Sequence, residues 1–197
     1  MHVALVGTTG VGKSTLVNVL KGKEIAEVNN NVRPCTTRAM QYEVIEGGTK
    51  YCIWDTRGLN EASQGVPTRA LKFFKILPDA DRELKKLLRG NNPRFNLVVL
   101  CIDAKKIRVD VHWKLFNLIY ADFCQRRLKV AVVATQMGER DFRGAEWKRT
   151  CKDTAKGVVE EFPDERLMEA MPKFEELDDP RVKECKSRIL TLISNAC

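Results

Sequence analysis

No stretch of this 197-residue chain approaches the roughly 20 consecutive apolar residues that a membrane-crossing helix needs. The first residues lack the basic lead and the small-residue cleavage site of a secretory signal, and His2 to Val6 enter an apolar run at once, so no signal is expected. No two of the seven cysteines (Cys35, Cys52, Cys101, Cys124, Cys151, Cys185 and Cys197) are spaced like a zinc knuckle or a redox pair. Their number is odd and several sit inside apolar runs, which reads as reduced thiols in a cytosolic protein. Internal repeats and low-complexity linkers are also missing. Aromatic and basic residues do not alternate as they do in RNA-binding surfaces, so no nucleic-acid partner is expected.

What is present is the balance of an ordinary soluble globular protein: 44% apolar and 30% charged residues, at a length that suits one domain spanning 1–197. The net charge is +8, gathered in Lys72–Lys75, Lys85–Arg89, Lys105–Arg108 and Arg126–Lys129. Solvated helix faces account for such clusters, and attraction to an anionic membrane stays open as the alternative.

The hydrophobic pattern alternates between two periods. Val3–Val6, Phe95–Ile102 and Lys129–Ala134 are short continuous apolar runs, the signature of buried parallel strands. Gln41–Glu46 and Tyr51–Trp54 flank Gly47-Gly48 and read as a hairpin. Helical spacing covers Ser14–Val19 with a stop at Gly22, Pro67–Arg89 with a break near Pro78, Val109–Phe123, Gly144–Phe162 and Arg181–Ile193. Arg166–Met171 reads as a weak strand. Strands alternating with helices predict an α/β domain of three layers around a mostly parallel sheet.

The strongest local signal is Gly7-Thr-Thr-Gly-Val-Gly-Lys-Ser14, which fits the P-loop pattern G-x-x-x-x-G-K-S/T between a strand and a helix. Glycines let backbone N–H groups turn inward around phosphate oxygens, and the helix that follows aims its positive end at the same anion. Gly7, Thr9, Gly10, Val11, Gly12, Lys13, Ser14 and Thr15 are therefore the expected phosphate-binding residues. Lys13 should reach the β- and γ-phosphates, and the Ser14 hydroxyl should ligate Mg²⁺. A second motif, Asp55-Thr-Arg-Gly58, ends an apolar strand. Asp55 is placed to hold Mg²⁺, and the Gly58 N–H to approach a γ-phosphate. Between the two motifs, Thr37, with Thr36 as second choice, is expected to cap Mg²⁺ and act with Lys13 and Gly58 in catalysis.

The P-loop, Thr36-Thr-Arg38 and Asp55–Gly58, in this order, resemble translation-factor-class GTPases of the Era and TrmE type. The stretch Trp54–Glu61, with Thr135 and Trp147, is similar to the fungal G-domain proteins grouped with the AIG1-like (GIMAP-type) family. The likeness covers residues 2 to about 150 and fades beyond them. It implies a Ras-like fold of six strands with the second antiparallel, GTP binding and hydrolysis, and nucleotide-dependent self-association through the nucleotide face.

Two departures from that pattern carry consequences. Such families read guanine with an N/T-K-x-D motif whose carboxylate accepts from N1–H and the 2-amino group. Here Thr135 fits the first position, Gln136 stands for the lysine and Gly138 for the aspartate, with Glu139 one residue on. Preference for GTP over ATP therefore rests on the family resemblance and not on a clean base-reading motif. Leu59 follows Gly58 where Ras-type enzymes carry a water-orienting glutamine, so slow intrinsic turnover is expected, helped by Asn60, Glu61, Gln64, Arg57, Arg38 or a partner subunit. A nucleotide-binding interaction module that barely hydrolyses is the alternative. A P-loop ATPase or kinase is a third reading, for which the Lys72–Arg89 helix makes a poor arginine lid.

Overall fold

The apolar runs assemble into one six-stranded sheet. The computed structural model describes residues 1–25, 39–56, 58–59, 79–106, 111–138, 146–174 and 176–197. The strands are β1 (His2–Val6), β2 (Met40–Glu46), β3 (Thr49–Asp55), β4 (Leu97–Asp103), β5 (Lys129–Met137) and β6 (Met168–Pro172). The helices are α1 (Lys13–Lys21), α2 (Asp79–Arg89), α3 (Val111–Asn117), α4 (Glu146–Ala155) and α5 (Pro180–Ala196). The sheet order is β2-β3-β1-β4-β5-β6, with every neighbouring pair parallel except β2 and β3. This is the expected α/β architecture with one antiparallel strand.

Burial explains the order. Val3 to Val6 of β1 and Leu97 to Leu100 of β4 are fully buried, as continuous apolar strands must be when helices cover both faces. The edge strand β2 alternates instead, burying only Val44. It turns into β3 through Gly47 and Gly48, whose φ values of 54° and 76° are the left-handed pair that a two-residue hairpin demands. Helix α1 turns Leu16, Val17, Val19 and Leu20 into the core, and packs beside α5. It stops at Gly22, whose N–H bonds back to Val19 and whose φ is 66°.

Several elements differ from the sequence expectation. Helix α4 covers Glu146–Ala155 and does not run on to Phe162, because Gly157 turns the chain left-handed at φ 76°. The helix expected to continue to Phe123 widens at Leu118–Phe123 into a π-type turn, closed by Gln125 and Arg126 at φ 52° and 59°. Strand β5 continues past Ala134 to Met137, and its register with β6 shifts between those two residues. The expected helical stretch 67–78 lies outside the described residues. The six described cysteines are free, and burial pushes the thiols of Cys101, Cys124, Cys151 and Cys185 up to about 12. No helix among the described residues is long and apolar enough to cross a membrane.

Candidate functional site

Parallel strands deliver their C-terminal ends to one edge of the sheet, where α/β folds place their ligands. Register fixes which residues meet there. Leu5 of β1 pairs with Asp55 of β3, and Val6 pairs with Leu100 of β4, so the loop leaving β1 emerges between the ends of β3 and β4. That loop is Gly7–Gly12. A Cβ on Gly7 would lie 2.6 Å from the Cys101 carbonyl oxygen and 2.9 Å from Val11 Cγ1, so only glycine passes beneath the loop. Gly12 forms the N-cap of α1 at φ 95° and supplies no capping side chain, which leaves the first amides of the helix uncapped by any side chain. Uncapped amides at a helix N-terminus are an anion site.

Three side chains converge on this cradle. The Lys13 ammonium is buried and donates to the carbonyls of Gly7 and Thr8 at 3.2 and 3.1 Å. The Ser14 hydroxyl donates to Asp55 Oδ2 at 2.8 Å. Asp55 is 2% exposed, and its Oδ1 has no hydrogen-bond partner among the described residues. Burial raises the Asp55 pKa above the usual carboxylate value, against the opposing pull of the Ser14 hydrogen bond and the Lys13 charge. A buried carboxylate with one orphaned oxygen beside a serine hydroxyl is a hard oxygen-donor pair, and it fits a small divalent cation such as Mg²⁺.

Thr135, fully buried at the end of β5, holds the cradle from the far side. Its hydroxyl lies 2.5 Å from the Val11 carbonyl oxygen and 3.0 Å from that of Ile102. Gln136 follows in a left-handed conformation at φ 57°, half-buried, within the β5 register shift. Bulges beside sites re-aim the backbone in this way. Gly138 is exposed, where a carboxylate was sought for the base. Thr36, Thr37, Arg38, Arg57, Asn60, Glu61, Gln64 and Glu139 lie outside the described residues.

One contact was absent from the sequence reading. The Leu59 N–H donates to the Gly7 carbonyl at 3.0 Å, and Thr8 and Leu59 form a parallel bridge. The Leu59 side chain is 1% exposed. The residue after Asp-x-x-Gly therefore roots this segment under the phosphate loop. Gly58 is buried beside it. The only signal in the sequence was the apolar character of Leu59 in a polar stretch.

A glycine loop that turns main-chain amides inward, a lysine, and a serine–aspartate pair at the carboxyl edge of a sheet in this strand order define a P-loop nucleotide-binding domain of the GTPase type. The chain belongs to the family described as 50S ribosome-binding GTPase, which it matches over residues 2–134. It is a GTP-binding G-domain protein of the type found in Der and MnmE. It is 41% identical over 81 residues to the GTPase Der of Methylococcus capsulatus, covering 40% of this chain and 17% of that protein. It is 29% identical over 117 residues to the tRNA modification GTPase MnmE of Neisseria meningitidis, covering 58% of this chain and 26% of that protein. The chain thus spans about a quarter or less of the length of these relatives. The fold matches that of Toc33 from Arabidopsis thaliana in complex with GDP and Mg²⁺, with a TM-score of 0.66 at 18% identity, over 99% of this chain and 84% of that one.

Proposed function

We propose that residues 1–197 form one G domain that works as a slow GTP-hydrolysing switch and is activated by self-association. The observation that carries this reading is Leu59. The position after Asp55-Thr-Arg-Gly58 is spent on packing beneath Gly7, so it offers no side chain to orient an attacking water. Lys13 turns from the Gly7 and Thr8 carbonyls to the β- and γ-phosphates. The amides of Thr9, Gly10, Val11, Gly12, Lys13, Ser14 and Thr15 cradle the remaining oxygens. Ser14, Asp55 and Thr37 would hold Mg²⁺, which would neutralise charge on the phosphates. The Gly58 N–H meets the γ-phosphate, and Thr135 and Gln136 flank the base.

Self-association is supported by fold relatives, since dimerization is important for the GTPase activity of the chloroplast translocon components Toc33 and Toc159. Likeness to AIG1-like proteins in Trp54–Glu61, Thr135 and Trp147 supports the same mode of action. The missing catalytic group would then come from a second copy across the nucleotide face. Free, buried thiols suit a cytosolic setting.

Phosphate release measured across a range of protein concentrations tests the proposal. Turnover per molecule is expected to be slow when dilute and to rise with concentration. Absence of release at every concentration would leave a nucleotide-binding module without hydrolysis. Calorimetric titration with GTP, GDP and ATP in Mg²⁺ tests the base, and tighter binding of ATP than of GTP would overturn the guanine assignment.

A further inference from the structure

Strand β5 leaves the carboxyl edge of the sheet against the phosphate loop, where a Cβ on Gly12 would lie 3.5 Å from Thr135 Cβ. Its last residues differ in what they have left to offer a ligand. The single hydroxyl proton of Thr135 lies between two carbonyl oxygens, those of Val11 and Ile102, and is spent on them. Met137 is 5% exposed, and its carbonyl accepts the Lys173 N–H at 3.4 Å. Gly138 has no side chain. Gln136 is half-buried, and its carboxamide makes no hydrogen bond among the described residues.

The backbone at Gln136 is not relaxed. Between Ala134 and Met137 the strand advances three residues while β6 advances two, from Ala170 to Pro172, so β5 carries one extra residue. Gln136 sits in that bulge at φ 57°, a left-handed conformation that side chains other than asparagine and aspartate seldom adopt. A bulge beside a ligand loop resets the strand alternation, and here the residue it holds is a long amide. The acceptor side is different. In the pattern that reads guanine, the residue two beyond Gln136 is a carboxylate, which accepts from N1–H and the 2-amino group. Gly138 holds that place. The acidic residue beside Thr135 in register, Asp103 of β4, accepts the Lys105 N–H through Oδ1 at 2.9 Å and shapes the turn after its own strand.

We propose that the base is read at its O6 and N7 side by the Gln136 carboxamide and is not read at its 2-amino group, so that hypoxanthine nucleotides bind as well as guanine nucleotides. This rests on the reading of the loop as a GTP site and names the class of ligand that site takes. Guanine and hypoxanthine share O6, N7 and N1–H and differ only in the 2-amino group. The NH₂ of Gln136 supplies a donor for O6 and N7, which are both acceptors. A carboxylate at position 138 would separate the two bases, because hypoxanthine would leave one of its oxygens unpaired. Glycine there removes the difference, and the 2-amino group stays in water.

Calorimetric titration of the full chain with GDP, IDP and ADP in Mg²⁺ tests this. GDP and IDP are expected to bind within about threefold of each other. GDP tighter than IDP by about tenfold or more would overturn the proposal, and loss of that preference in Glu139→Gln would then assign the 2-amino group to Glu139. ADP tighter than both would instead overturn the guanine-type reading itself. Gln136→Glu replaces the donor by a carboxylate, which repels O6 and N7 but accepts from the 6-amino group of adenine. It is expected to weaken GDP and IDP alike, at least about tenfold more than it weakens ADP, with a thermal melt to report that the variant is folded. An equal fall for all three nucleotides would be plain repulsion of the phosphates and would overturn the role of Gln136. Gly138→Asp is the converse variant, independent of the first. It is expected to make GDP at least about tenfold tighter than IDP, and an unchanged ratio would overturn the account of position 138.

Discussion

A buried carboxylate destabilises a fold unless a cation or donors compensate it, and Asp55 is held with one oxygen on Ser14 and the other without a partner among the described residues. Burial sets its pKa above 3.8, so the folded protein holds this proton to higher pH than the unfolded chain does. The contribution of Asp55 to the stability of the ligand-free protein therefore falls as pH rises above 3.8, and is at its least favourable at neutral pH. Replacing it by asparagine should raise the ligand-free thermal midpoint at pH 7, and abolish the extra stabilisation that Mg²⁺ gives the GDP complex. A purely structural Asp55 would show neither change in that pairing of signs, and thermal melts with and without MgGDP read both. Lys13 is simpler. Its ammonium is buried on two loop carbonyls and would exchange them for phosphate oxygens. Lys13→Ala is expected to cost about 2–3 kcal/mol of nucleotide binding, roughly a hundredfold in Kd by calorimetry.

At the scale of elements, the unit that matters is the contact between the phosphate loop and the end of β3. Leu59 joins the two through a main-chain bond to Gly7 and a side chain in the core. Leu59→Gln, which would restore the Ras-type residue, is expected to destabilise the fold by about 1–3 kcal/mol in urea, because an amide enters an apolar site. It should leave the single-turnover hydrolysis rate no higher, since the side chain starts beneath the loop and not above it. A clear rate gain would show that this segment lifts away when nucleotide binds. Much of this element layer is readable in the sequence. The hairpin followed from Gly47-Gly48, and the loop from its glycines, because those conformations are dictated by residues next to one another. The end of α4 and the bulge of β5 were less readable. Helical periodicity continued past Ala155 while Gly157 stopped the helix, and the β5 register shift depends on what β6 offers as a partner.

For the whole molecule, the cradle is tied to both halves of the sheet. Gly7 is threaded under Cys101 of β4, Val11 lies against Thr135 of β5, and Asp55 pairs across β1. Nucleotide binding should therefore stabilise the fold globally and not only locally. GDP at a hundred times its Kd is expected to add about 2.7 kcal/mol, which for a chain of this size is a rise in Tm of roughly 5–10 °C. Loss of that shift with an intact fold would mean that the loop opens independently of the sheet.

The amino-acid sequence alone determined the alternation of strands and helices, the phosphate loop, and the aspartate at the tip of its strand. Each of these is written in hydrophobic period and in the few residue types a tight loop accepts, over a dozen neighbours or fewer. Only the tertiary structure decided that Thr135 would reach Val11 across 124 residues of chain and that Leu59 would be rooted beneath Gly7. Those meetings follow from strand order and register, which are settled by how the whole core packs.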